Sequence, residues 1–368
     1  MSNEKIKIRE SLTLSPFFLF FLIHSSQTGI GMLSMQRDIA KYAEQDAWIG
    51  IVIAGLYLHV IFLMLFKILA SSNNGDVISL HQQYFGKIFG NILSMVFVVY
   101  FFLLLLLVFR SYIEILQIWV YSIVAPWEIG LVITVVIFYI VLGGFRVIAG
   151  ISFWSTLIPI ILVFVLGYTL KFSHFSNLQP FFNHDFKEIL LSSKEGIISF
   201  VGFETVLLFF PFIKKGKSTK RWAHLGLLFT TLTYLILTII TYAFYNQGML
   251  KYIIWPTLSM TKIVQVPFIE RFEYIFIFSW LLVVMPPMCL CIWAITRSLK
   301  EMLNIKSSFS LTGILVLVNT LSILLIDRDS IHFVKKATTQ LSIYILFIYI
   351  PLLFLYVIVK NKIQSNKK

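Results

Sequence analysis

Residues 97–109 read FVVYFFLLLLLVF, with no charge and no alternation of polar with apolar side chains. A membrane β-strand alternates lipid-facing and lumen-facing residues over segments of about ten, so this run is not a barrel strand. As a helix it is apolar on every face, which suits a bilayer. The same character extends outward from it in both directions. Of 368 residues, 58% are hydrophobic and only 13% charged, with a mean hydropathy of +0.88; ordinary soluble domains carry about 25% charge. Apolar blocks alternate with short charged connectors, and each block approaches the ~20 residues that a helix needs to cross the hydrocarbon core. The expectation is an all-α polytopic protein of the lipid bilayer.

Ten spans are expected, at about 15–35, 47–69, 92–118, 127–145, 151–170, 196–213, 223–245, 269–296, 309–326 and 341–360. The first begins near Pro16 and lacks a small-residue cleavage site, so it is read as a retained span rather than a secretory signal. With the N-terminus in the cytoplasm, inside segments hold 18 Lys and Arg and outside segments 11. The cluster Lys214, Lys215, Lys217, Lys220 and Arg221 against the bare loop 119–126 decides the orientation, with both termini cytoplasmic. The net charge of +13 therefore marks topology, and no basic helix or aromatic platform outside the spans points to nucleic acid. Cys289 and Cys291 lie two apart on one expected helix, point different ways, and read as small apolar fillers. Three connectors are conspicuous. Asn73–Gly90 reads equally as an interfacial helix or a polar loop. The segments 171–195 and 246–268 are long outside connectors, and the run Tyr252–Trp255 before Pro256 predicts that the second folds back on the bundle.

The chemistry is expected where spans break. Thr28-Gly29-Ile30-Gly31 puts two glycines in the middle of the first span, each weakening a helix by roughly 1 kcal/mol relative to alanine. Unwinding there frees backbone groups that lipid does not satisfy and that only a cavity or ligand tolerates; close packing through small residues is the competing reading. A second break is expected at Gly202-Phe203-Glu204-Thr205 in the sixth span. Breaks in spans one and six are the first spans of two five-helix halves, about 15–170 and 196–360, within a single membrane domain covering 1–368. An odd number of spans per half inverts the second relative to the first, and paired broken helices point to a midplane site. Arg110 and Glu114, at i,i+4 in the third span, share a face and are expected to pair. Glu204 is a buried carboxylate in need of a partner. His24 and Gln27 precede the first break and His59 lies in span two; a lone span histidine reads as a packed, hydrogen-bonded residue. Met285-Pro286-Pro287-Met288 is expected either to kink span eight or to open it toward the cavity. No residue spacing suggests a metal site, a hydrolytic triad or a cofactor motif.

Gly29-Ile30-Gly31-Met32-Leu33 with Arg37, Gly202-Phe203-Glu204 with Phe210-Pro211-Phe212, Trp255-Pro256-Thr257, and above all Phe268-Ile269-Glu270-Arg271-Phe272-Glu273 with Trp280 occur in order over the whole chain. Together they resemble the endospore germination permease family, the B subunits of nutrient germinant receptors in spore-forming Bacillus. The chain departs from that pattern at Gln36, where a proline is common, and Leu103–Val108 is unusually apolar for a cavity-lining helix. The resemblance implies the fold of the amino acid–polyamine–organocation superfamily (LeuT-like), with two inverted five-helix repeats. It also implies a place in the spore inner membrane beside a membrane-embedded A subunit and a lipoprotein C subunit.

On that basis a small nutrient, an amino acid, is expected between spans one, three, six and eight. Backbone N–H groups near Thr28, Gly29, Ile30 and Gly31 and near Gly202 and Phe203 would hold a carboxylate, helped by a half-helix dipole. Carbonyls from the same breaks would take the ammonium group. Leu104, Val108, Val201, Met285, Pro286 and Pro287 would shape the pocket. Tyr100, Arg110, Glu114, Glu204, Glu270, Arg271 and Glu273 would hold the framework and couple occupancy to helix tilt. The output would be a changed subunit contact rather than catalysis. The rival readings are a working amino-acid transporter using the same pocket and a membrane scaffold without ligand.

Overall fold

The computed structural model describes residues 10–365, apart from 215, 217, 266, 268, 326 and 327. The expectations resting on the basic residues of the first nine positions, on Lys215, Lys217 and Phe268, and on the last three residues fall outside it.

The described residues form helices α1 (Phe18–Gln27), α2 (Gly31–Ala43), α3 (Ala47–Ala70), α4 (Val77–Phe85), α5 (Lys87–Trp119), α6 (Pro126–Leu142), α7 (Phe145–Leu166), α8 (Phe186–Ser199), α9 (Val206–Phe209), α10 (Thr219–Phe244), α11 (Gln247–Leu250), α12 (Pro256–Met260), α13 (Phe272–Leu303), α14 (Ser307–Leu324), α15 (Arg328–Ile343) and α16 (Ile350–Ser365). Among them, seven helical runs are long and apolar enough to cross a membrane. The number is eight when Phe186–Ser199 and Phe203–Phe212 count as one span bent by 52°. In these runs α2 and α3 are joined through the 3-10 turn Glu44–Asp46, and α15 and α16 through a π-helical segment at Tyr344–Tyr349. Phe18–Gln27 and Pro126–Leu142 are apolar but shorter. The chain is thus an all-helical, multi-pass membrane protein.

The two interrupted helices sit inside the bundle. α1 packs on α7, α10 and α13, while α2 packs on α8, and α8 in turn on α3. α5 and α13 form a second long pair across the molecule, with α15 against α5. α6 and α14 pair at the periphery, where Val132, Val135, Tyr139, Val316 and Leu324 are exposed. Such a surface is unfavourable in water and is what lipid tails cover. The start of α1 and the end of the sixth-span pair meet on one side of the molecule: the Leu14 amide donates to the Phe212 carbonyl (2.8 Å) and the Lys214 amide to the Leu14 carbonyl (2.8 Å). The two broken helices therefore run antiparallel.

Two connectors differ from their sequence reading, and a third takes one of the two forms left open for it. The segment 171–195, expected as an outside connector, is partly helical, because α8 begins at Phe186. Asp185 and Glu188 form a capping box there, which starts the helix ahead of the apolar stretch rather than at it. Most of the expected connector between the last two spans is α15, which begins at Arg328 and whose amphipathic turns bury Ile331, Val334 and Thr338 against the bundle. Between α3 and α5 the structure chooses a helix over a loop: Asp76 accepts from the Ser79 amide (2.8 Å) to cap α4, and α4 buries Val77, Ile78 and Leu80. The 246–268 segment does fold back, with Pro256 at the first position of α12 and the Thr257 hydroxyl donating to the Met32 carbonyl (3.4 Å).

Candidate functional site at the two helix breaks

Thr28–Ile30 separates α1 from α2, and Phe200–Gly202 separates α8 from the short helical run at 203–212. The two breaks touch. Gly202 stands at φ +117°, a conformation that glycine alone adopts readily. Its α-carbon is pressed onto the Ser26 carbonyl, so that a Cβ there would overlap that oxygen. By contrast, a Cβ on Gly29 would meet nothing within 4 Å, and one on Gly31 would make ordinary contacts of 3.7–3.8 Å with Ser199. Gly202 permits the close approach; Gly29 borders open space.

Two side chains tie the breaks in place. The Tyr234 hydroxyl on α10 donates to the Gln27 carbonyl (2.6 Å) and lies 3.1 Å from the Ser199 carbonyl, so its one proton serves both sides in turn. Glu204 is fully buried. Its Oε2 accepts from the Gly202 amide (2.6 Å) and its Oε1 from the Tyr100 hydroxyl (3.0 Å). Ser342 Oγ on α15 lies 3.4 Å from that hydroxyl. The carboxylate thus clamps the sixth-span break to α5 instead of facing a ligand.

Between the breaks lies a cavity of about 420 Å³. Its inner part is lined by Gln27–Gly31 and by Val201 and Gly202, with Leu104 and Val108 of α5 and Pro287 and Cys291 of α13 as walls. Ser34, Arg37, Asp38 and Lys41, one face of α2 at i, i+3, i+4 and i+7, carry it to a charged outer end where α15 adds Arg328, His332 and Lys335. Lys335 pairs with Asp38 (2.8 Å), which also holds Lys41 (2.7 Å). The first N–H groups of α2 have no side-chain cap.

Of the residues expected to bind ligand, Thr28, Gly29, Ile30, Gly31, Leu104, Val108, Val201, Gly202 and Pro287 line this cavity, while Phe203, Met285 and Pro286 do not. Phe203 stacks on Phe62 of α3 (centroids 4.9 Å apart, 30° between planes). The proline pair does not open span eight: α13 is one helix from Phe272 to Leu303. At about 100° per residue, Pro287, Met288 and Cys291 turn to the cavity and Met285 and Pro286 away.

The expected Arg110–Glu114 pair is redirected. Glu114 pairs with Arg328 of α15 (3.1 Å), and Arg110 Nε donates to the Leu325 carbonyl (2.7 Å), because both long side chains reach across to the neighbouring helix. Arg271 pairs with Glu273 (2.9 Å) and lies over the Tyr274 ring; these two and the exposed Glu270 sit at the start of α13, away from the cavity. His24 is hydrogen-bonded to Thr230 Oγ1 (2.9 Å), and His59 stacks on His224, with Nδ1 atoms 2.8 Å apart.

Among the cavity residues that the sequence reading did not assign to the site are Gln27, Ser34, Arg37, Trp255 and Cys291. A helical stripe from Gly31 would have found Ser34, Asp38 and Lys41. Trp255 arrives only through the fold-back of α12.

The same frame occurs in a solved structure of a Na+-coupled sialic acid symporter in a substrate-bound, outward-open state, with a TM-score of 0.63 over 91% of this chain and 79% of that one at 10% identity. That likeness shows a LeuT-like transporter fold. In sequence, the chain is 38% identical over 351 residues to spore germination protein GerQB of Bacillus cereus, covering 95% of this chain and 97% of the relative. It is 25% identical over 312 residues to spore germination protein A2 of Bacillus subtilis (strain 168), covering 83% and 85%. The spore germination protein family matches residues 13–331. With the family's sequence running through both breaks and through the helices that enclose them, the chain belongs to the endospore germination permeases, the spore germination protein family.

Proposed function

We propose that this chain is the nutrient-sensing B subunit of a spore germination receptor, and that a small nutrient, an amino acid, occupies the cavity between the two helix breaks. The observation that carries this reading is the cavity itself: about 420 Å³, within the range of small-molecule sites, and lined by both breaks at once. A carboxylate is held by the uncapped N-terminus of α2, where N–H groups and dipole both favour an anion. Leu104, Val108, Val201 and Pro287 enclose the side chain. The frame comprises ten spans in two inverted repeats, about 15–170 and 196–360: the antiparallel broken helices at first and sixth place support it, as does a count in which α2 is assigned to α1 rather than to α3, leaving α3 as a span of its own, and α6 is added to the longer ones. Family membership supports placement in the spore inner membrane with A and C subunits as partners.

For a signal to pass, the ligand must bind one helix arrangement better than another. Tyr234 and Glu204 supply the means, since they join the breaks to α10, α5 and α15. The neighbour's fold favours a second reading, an active amino-acid transporter using the same pocket. Concentrative uptake of labelled nutrient into proteoliposomes by the purified chain would establish transport and displace the sensor-only reading.

The direct test is Gly29→Trp. A Cβ at Gly29 meets nothing within 4 Å and Gly29 lines the cavity, so the indole should fill the cavity, and the variant chain should melt like the parent while losing nutrient binding. Spores carrying it should fail to germinate on the nutrients whose response disappears when this chain is deleted. Undiminished binding and germination would remove the cavity from the mechanism.

A further inference from the structure

Gln27 ends α1 at the first break and lines the cavity. It is 2% exposed, and neither Nε2 nor Oε1 has a hydrogen-bond partner. A buried amide with both functions unsatisfied is costly to keep and calls for an explanation.

The polar groups around it are already committed. The Ser26 hydroxyl donates to the Ile23 carbonyl (2.8 Å) and Thr28 Oγ1 to the His24 carbonyl (3.1 Å). The Gln27 and Ser199 carbonyls share the Tyr234 hydroxyl. The Gly202 carbonyl accepts from both the Thr205 amide (3.3 Å) and its hydroxyl (2.8 Å). The carbonyls of Gln27, Ser199 and Gly202, which flank the breaks, are therefore engaged within the protein. Gln27 Oε1 is a buried side-chain acceptor left free beside them, with Nε2 as its companion donor.

The surroundings restrict what meets this amide. Leu104, Val108, Val201 and Pro287 are apolar; the charged lining residues of α2, Arg37, Asp38 and Lys41, begin nearly two turns into that helix, and the others, Glu114, Glu195, Arg328, Asp329 and Lys335, stand on α5, α8 and α15. A formal charge at Gln27 would be uncompensated. A primary amide offers donors and an acceptor in one plane, and its best complement is another such edge. We propose that Gln27 is the specificity-determining residue of this cavity and that the nutrient presents to it a neutral carboxamide-type edge. This rests on the nutrient-binding reading above and adds to it the ligand's second recognised group.

The test uses near-isosteric probes on the full chain in lipid nanodiscs: L-glutamine against L-methionine, and L-asparagine against L-leucine, with affinities from calorimetry. The parent chain should bind the amide member of a pair on the order of tenfold or more tighter, because the apolar isostere leaves the buried Gln27 amide unpaired. Gln27→Leu, checked for an unchanged melting temperature, should abolish or reverse that ratio, and Gln27→Asn should restore part of it. If probes bind but the ratio is the same in Gln27→Leu, the amide is merely hydrated and the assignment falls, while the nutrient site stands. If the parent chain prefers the apolar members, the assignment also falls. If no probe binds and Gly29→Trp spores germinate normally, both the site and Gln27's role in it are overturned.

Discussion

A methyl group at Gly202 has nowhere to go: the Ser26 carbonyl occupies its position and the backbone stands at φ +117°. A side chain in that region is strained on its own account, and here the clash also forces the two breaks apart. Gly202→Ala should therefore cost about 2 kcal/mol or more and lower the melting temperature of the detergent-solubilised chain by several degrees, or prevent accumulation of folded protein. Gly29→Ala, facing open space, should stay within about 0.5 kcal/mol of the parent. Equal melting temperatures for the two variants would show that the breaks do not touch as described. The sequence alone marked Gly29, Gly31 and Gly202 together as the places where helices break. It did not show that Gly202 carries the contact and Gly29 faces open space, because a close approach between distant segments leaves no mark on local sequence. The same limit explains Glu114 and Phe203: spacing along one helix says which face a side chain shares, while its partner, Arg328 or Phe62, is set by packing between helices. Gln27 was visible only as a polar residue before a break, since whether an amide is satisfied depends on every element around it.

The interrupted helices, the long apolar helices α5 and α13 and the fold-back before α12 were legible because each follows from a local rule: glycine spacing, an unbroken apolar run, and a proline at a helix start. Helix limits were misread where amphipathic turns extend a span past its apolar stretch, as at Phe186 and Arg328; hydropathy registers lipid contact, whereas these turns are held by capping and by burial on one face. α4 is the clearest example of an element decided by few residues. Asp76 is 1% exposed and does two things there. Its Oδ1 caps α4 at the Ser79 amide, and its Oδ2 accepts from Arg297 (3.2 Å), which also holds Glu301 on α13. The Arg297 guanidinium lies over the Phe212 ring at the end of the sixth span (4.7 Å), so the contact joins three elements. Asp76→Asn keeps a good cap and leaves Glu301 as the partner of Arg297, whereas Asp76→Ala removes cap and charge together. The alanine variant should be about 1 kcal/mol less stable than the asparagine variant, read from denaturation midpoints. Identical midpoints would mean that the cap contributes nothing and that only the charge matters.

At the scale of the molecule, orientation decides from which side a nutrient reaches the cavity. The charged outer end, at Lys41 and Lys335, lies toward the C-terminal end of α2, while the bridge between Leu14 and Ile213 holds the start of α1 beside the end of the sixth span. These two features are at opposite ends of the broken first helix. Fixing the side of one fixes the other. The basic residues Lys214–Arg221 follow immediately on Ile213, and short basic connectors remain on the cytoplasmic side; the cavity should then open away from the cytoplasm, or from the spore core. Cysteine labelling tests this without a cysteine-free background, since Cys289 and Cys291 are 0% and 3% exposed. Lys187 at the start of α8 and Lys220 at the start of α10 are both exposed. In intact cells a membrane-impermeant maleimide should label Lys187→Cys at once and Lys220→Cys only after permeabilisation. The reverse pattern would turn the molecule over and place the cavity mouth on the cytoplasmic face. A nutrient arriving from outside would then have to cross the membrane before it could be sensed, and the sensor reading would fail even with every contact at the two breaks intact.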